Sequence, residues 1–335
     1  MKRNHTIDVL KGIAIILVLI THYEWTQEQR KIFVFPFIVN MAIPVFMIIT
    51  GYVYSLSLEK QNIQHLEDAY PWKSLLKRSI RYTLPVIAVI IWDLCDPHFS
   101  VNPDPLERLR WAINGTAGKG NYYYPVMMQL IFVFPLIYFE VNRKKEWGLL
   151  LAFFANAVYE LLVWAYGIPT GSYRLLVFRY IFLIAAGVCA YKGYKLPIWL
   201  SLLMTVLGAL FISSIIYFGY EPKMVNKDWA TVDFIASMWI IPLMIWLLQN
   251  AKIRFLPLEI IGKASYHIFL VQMVYYSGYY TELQGKVSTR QGHMILGVGI
   301  CLAIGVAFYY VEQPIQNWLQ QLIRKSEKTE ISERA

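Results

Sequence analysis

Charge is scarce in this sequence. Asp, Glu, Lys and Arg make up only 16% of 335 residues, while hydrophobic residues reach 57%. That balance excludes an ordinary soluble domain and a disordered chain, and fits a polytopic membrane protein. Cysteine is scarcer still. Cys95, Cys189 and Cys301 stand far apart in or at the ends of apolar segments, so they offer no metal-ligand spacing and read as small buried residues. No strong internal repeat marks an inverted-repeat transporter. A clean signal-peptidase site is also missing, so the first apolar run is expected to remain as the first span.

Long hydrophobic windows are plentiful. They fall at roughly 7–24, 32–56, 80–95, 122–140, 147–166, 173–191, 196–218, 230–249, 259–280 and 292–319. The expected fold is therefore all-α, a membrane helix bundle of about ten transmembrane helices. One integral domain covers residues 1–323, followed by a charged, frayed cytoplasmic tail over 324–335. With the N-terminus inside, inner segments hold 18 Lys and Arg against 10 in outer segments. The bias puts both termini in the cytoplasm of a multi-pass cell-membrane protein. The net charge of +9 is explained by these loops, with membrane lipids as neighbours and no nucleic-acid partner.

Ionisable groups inside apolar spans are costly, and they mark functional pathways by default. The first span, Ile7 to Tyr23, carries Asp8, Lys11 and His22. Lys11 and His22 are eleven residues apart, which in a helix is about 16 Å of rise and about 20° of rotation. One face therefore presents a cation towards the inner side and an imidazole towards the outer side, the group best matched to general-base work near neutral pH. Arg78 and Arg81 stand three residues apart at the entry to the third span and share a face. With Lys11 they compose a cationic mouth for phosphate; alternatively Lys77, Arg78 and Arg81 are a positive-inside anchor. Asp93 and Glu160 lie near the outer ends of their spans, where either could orient His22 or simply sit at the interface. Arg179 lies deeper, in LLVFRYIFLI, and requires a carboxylate, a wet cavity or an anionic substrate. Asn40, Thr50, Gln129, Gln272 and Glu312 are further polar groups at membrane depth.

Several segments together resemble the acyltransferase family 3 membrane proteins. Asp8-Val9-Leu10-Lys11 through His22 is similar to that family's arginine, ten residues, histidine hallmark, with lysine in the arginine position. Ile43-Pro44-Val45-Phe46 through Thr50-Gly51-Tyr52 resembles its Pro-x-Phe-Phe-x-x-Ser-Gly-Tyr segment. RSIRYTLP (78–85) resembles its Arg-x-x-Arg…Pro entry, and Tyr124 to Pro135 its next helix. GKASYHIFLVQ (262–272) resembles a pattern ending in histidine, where Gln272 stands instead. Glu312-Gln313-Pro314 resembles its terminal Glu-x-Pro.

The resemblance implies an O-acyltransferase that takes an acyl group, most often acetyl, from cytoplasmic acetyl-CoA to a hydroxyl of a surface polysaccharide or other small acceptor. It implies His22 as general base or transient acyl carrier, and Lys11, Arg78 and Arg81 on the donor's phosphates. Tyr52, Asp93, Glu160, Arg179 and Gln272 are supporting or acceptor-side candidates. No metal is implied, and self-association is left open. Without a fused extracytoplasmic domain, the membrane domain must handle the acceptor itself or pass the acyl group on. The aromatics Trp111, Tyr122, Tyr123, Tyr124, Tyr173 and Trp229 could stack on sugars or form an interfacial belt. The competing class is a transporter or flippase for an anionic lipid-linked sugar.

Overall fold

The computed structural model describes residues 4–96, 104, 106, 120–144 and 146–334; Trp111 lies outside them. Among the described residues the chain is helical, with no strand. Five helices among the described residues are long and apolar enough to cross a membrane: Phe35–Lys60, Tyr123–Lys144, Trp147–Ala165, Ile198–Phe218 and Arg290–Ile323. A sixth crossing arises if Trp229–Trp239 and Ile241–Asn250, bent by 57° at their junction, count as one broken span. Other expected spans fall outside this set for local reasons. The first helix, His5–Thr21, stops at 17 residues. Trp72–Cys95 is dense in Lys and Arg at its start. The expected spans at 173–191 and 259–280 are divided into short α, 3₁₀ and π pieces.

Ile198–Phe218 shows why the chain belongs in a bilayer. Only 17% of its most apolar window is buried inside the protein, and Trp199, Leu202, Leu210 and Phe218 are exposed. So large an apolar face needs lipid around it. The last helix runs from Arg290 to Arg334. Cys189 and Cys301 are buried as expected, but Cys95, at its helix end, is exposed.

Two compact units divide the chain. The first comprises Met1–Leu66 and Val133–Lys263, the second Glu67–Phe132 and Ala264–Ala335. In the first unit, glycines let backbones touch. A Cβ at Gly51 would collide with the Ile184 carbonyl, and one at Gly187 with the Ile48 carbonyl, so helices Ala42–Lys60 and Ile181–Lys192 meet at a paired small-residue contact. The same device joins His5–Thr21 to Leu256–Lys263, where Gly12 abuts Leu258 and Gly262 abuts Asp8. His5 Nδ1 lies 2.6 Å from Glu259 Oε2, and Thr6 Oγ1 donates to the Ala251 carbonyl at 2.9 Å. The second unit centres on Val86, Val89 and Leu270, packed by Tyr124, Tyr266 and Phe308.

Candidate functional site

The first helix starts where Asn4 caps it, its side chain accepting the Thr6 N–H at 3.1 Å, with Asp8 in the first turn favoured by the helix dipole. It ends at Thr21, leaving His22 as the C-cap, half-buried at the helix mouth rather than within it. The Trp25 indole donates to the Ile20 carbonyl at 2.9 Å and so satisfies one terminal acceptor. Lys11 is half-buried, its Nζ 3.8 Å from Asp8 Oδ1. His22 thus stands at the C-terminal end of a helix that carries Lys11 near its middle, beside the close contacts of Gly12 and Gly262. Tyr52, from the neighbouring helix of that unit, packs its ring edge-on to Tyr191 at 5.2 Å.

Arg179 is 3% exposed and organises a polar cluster inside the first unit. Its guanidinium carbon lies 4.6, 4.7 and 4.5 Å from the ring centroids of Tyr173, Tyr180 and Trp229, an aromatic cage for a cation. Tyr173 donates to Glu160 Oε1 at 2.6 Å. The Ala236 N–H donates to Asp233 Oδ1 at 2.7 Å, holding the carboxylate in the bend between the 3₁₀ segments Lys227–Val232 and Ala236–Trp239. Glu160 Oε2, Asp233 Oδ2 and the Tyr180 hydroxyl are buried and have no hydrogen-bond partner among the described residues. Oxygens left unmet in an apolar interior cost about 1–3 kcal/mol each, so the cluster is primed to receive donors. Arg179 therefore meets the requirement its sequence position set, with two carboxylates and three rings around it. Asp233 was not among the sequence candidates, although an acid inside TVDFIASMWII is the kind of intramembrane charge that flagged Glu160.

In the second unit Arg78 and Arg81 ride on Trp72–Cys95, which starts a full two turns before the expected span. Arg78 is half-buried and Arg81 exposed. The Arg81 carbonyl accepts from Gln316 at 3.4 Å. Asp93 is buried. Its neighbour Asp96 accepts from Trp92 at 2.9 Å and from the Tyr279 hydroxyl. Gln272 is fully buried, its amide beside Gly120 and Phe269. Lys11 belongs to the first unit and the two arginines to the second.

The second unit pairs Glu312, a polar group the sequence marks at membrane depth, with His267, which the sequence candidates do not include. His267 Nε2 is 3.2 Å from Glu312 Oε2, both residues are buried, and Gln316 adds a 3.4 Å bond to Glu312 Oε1. Phe308 and Tyr309 pack edge-on to the imidazole at 4.9 and 5.3 Å. The signal was available: a histidine inside an apolar helix needs a partner.

Two cavities accompany these groups. The first unit has a polar one of about 530 Å³ and the second an almost wholly apolar one of about 580 Å³ lined by Ala88, Trp92, Val274, Tyr275, Ile304 and Phe308. Among the described residues no group of three or more His, Cys, Asp or Glu is placed to hold a metal ion.

Residues 4–312 match the family model for the acyltransferase domain of acyltransferase family 3. The chain belongs to that family. Its members' domain accounts for nearly the whole chain, which makes this an acyltransferase with membrane-crossing helices. No curated protein and no solved structure matches the chain.

Proposed function

We propose that this acyltransferase moves an acetyl group from cytoplasmic acetyl-CoA to a hydroxyl of a cell-surface polysaccharide or another glycan, from a multi-pass position in the cell membrane. The single observation that supports the reading is the first helix of a family member, which carries Lys11 mid-helix beside the Gly12 contact and ends at His22. Arg78 and Arg81, one turn apart, are the proposed grip on the donor's phosphates, because guanidinium groups take phosphate oxygens bidentately. Lys11 fills the family's arginine slot as a point charge.

His22 acts on the acceptor. Its imidazole removes the hydroxyl proton as the hydroxyl oxygen bonds to the acyl carbon, the carbon–sulfur bond breaks, and the proton passes to the departing thiolate. The alternative route loads the acyl group on His22 first and hands it to the acceptor second. Arg179, Glu160 and Tyr52 serve the acceptor side through the first unit, while Asp93 and Gln272 are supporting positions in the second.

The test is incubation of purified protein with acetyl-labelled CoA thioester and cell-envelope glycan, following thioester loss and label in the glycan. Transfer of label is expected. A transporter or flippase would leave the thioester intact, and that result would overturn the reading.

A further inference from the structure

The polar cavity of the first unit has a size usual for small-molecule sites, about 530 Å³. Gln27, Arg30, Lys31, Asn40, Glu221 and Thr231 supply its polar lining. The cavity is built rather than incidental. Arg30 and Lys31 ride on the short helix Gln27–Ile32, fixed by a capping box in which Thr26 and Gln29 bond each other reciprocally at 3.1 Å. Arg30 stacks over the Phe35 ring at 5.2 Å, and Phe35 itself lines the cavity. Asn40 donates to Thr231 at 2.9 Å, tying that segment to the broken span.

The broken span is the second observation. Ala230 and Thr231 line the cavity from its 3₁₀ segment Lys227–Val232. Irregular backbone at membrane depth is tolerated where protein buries it or where it lines a cavity. Trp229 and Asp233, flanking those residues, anchor the segment in the Arg179 cluster. The cavity is also tied to the catalytic end of the first helix. Trp25, three residues beyond His22, bonds the Ile20 carbonyl and packs on Phe35 at 5.5 Å.

Charge chooses the ligand. Two cations against Glu221 leave the lining net positive, and the amides and hydroxyl suit the hydroxyls of a sugar. We propose that this cavity is the acceptor site and that it takes an anionic saccharide, with Arg30 and Lys31 on the acidic group. This rests on the acyltransferase reading above and adds the acceptor's class to it. A lipid headgroup phosphate would offer the same anion, and the exposed Ile32, Phe33 and Ile38 lie in the same segment, so the test separates the two sources.

Full-length protein in phosphatidylcholine nanodiscs is titrated with a glucuronate-bearing disaccharide and with its neutral glucose counterpart. The acidic sugar is expected to bind about tenfold more tightly than the neutral one, a difference that two charge-assisted contacts readily supply. Arg30→Gln with Lys31→Gln should remove that preference, and Arg30→Lys with Lys31→Arg should keep most of it. Equal affinity for the two sugars, or a preference that survives the double glutamine change, overturns the proposal. So does a cavity whose only anionic occupant is lipid, seen as photoactivatable phosphatidylglycerol crosslinking to residues 27–40 that the disaccharide fails to displace. Binding is read without acyl transfer, so failure of the acyltransferase reading would show separately as an intact thioester.

Discussion

The two units handle buried charge in opposite ways. The first concentrates it: one guanidinium, two carboxylates and three aromatic rings meet where 3₁₀ segments and a broken span replace regular helix. The second disperses it: His267 and Glu312 pair between helices, Asp93 and Asp96 are buried at the end of Trp72–Cys95, and the cavity beside that helix is apolar. In the pair of His267 with Glu312 both Glu312 oxygens meet a hydrogen-bonding group, and His267 Nδ1 is left buried without a hydrogen-bond partner among the described residues. In the first-unit cluster one carboxylate oxygen each of Glu160 and Asp233 is buried without a hydrogen-bond partner among the described residues, and irregular backbone gives the cluster room to exchange partners. The difference teaches that buried charge gathers where the backbone is irregular, and under the proposed function it assigns the chemistry to the first unit with His22 and the donor grip to the second unit's arginines.

The largest effect should come from His22. Its replacement by alanine removes a general base, worth about 10²–10⁴-fold in rate. His22→Ala is expected to bind acetyl-CoA with wild-type affinity and transfer no measurable label. The parallel change His267→Ala should keep most transfer activity. If the two variants lose activity equally, or if His22→Ala stays active, the division of labour between the units is wrong.

Stability gives the next contrast. Arg179→Leu strips the cation from two buried carboxylates, a change expected to cost about 3–5 kcal/mol. Arg179→Lys should recover little, because an ammonium cannot present the flat face that three rings enclose. His267→Leu takes one partner from Glu312 but leaves it the Gln316 amide, so the expected cost is only about 1–3 kcal/mol. Both are read from denaturant titration in detergent. Equal losses would mean that the first-unit cluster is an ordinary satisfied pair.

Much of this was legible in the sequence, and the limits have physical causes. The membrane class, the helical fold and the weight on Lys11, His22 and Arg179 all follow from ionisable residues set in apolar runs. Hydropathy windows cannot see a helix break. The runs at 173–191, 230–249 and 259–280 read as continuous spans, yet each is divided in the structure, because hydrophobicity is indifferent to whether the backbone bonds at i+3, i+4 or i+5. Partners distant in sequence were equally hidden. Nothing in the spacing joins Glu160 to Tyr173 through the hydroxyl, or His267 to Glu312 across 45 residues. Asp233 and His267 themselves needed no structure, only the rule already applied to their neighbours.

The smallest effect sharpens the second unit's share of the work. Arg78 and Arg81 occupy one face of Trp72–Cys95, but burial separates them: Arg78 is half-buried and Arg81 exposed. A cation shielded from water acts on a phosphate more strongly than one in solvent, and salt screens the exposed one more. Each alanine substitution is therefore expected to weaken acetyl-CoA binding by about three- to tenfold, a range set by the loss of charge-assisted contacts near a surface. Arg78→Ala should lie at the upper end and keep its effect in high salt; Arg81→Ala should lie at the lower end and lose it. Equilibrium binding of labelled acetyl-CoA at low and high ionic strength reads both. Unchanged affinity in both variants would return the arginines to a headgroup anchor, and the second unit would then contribute packing alone.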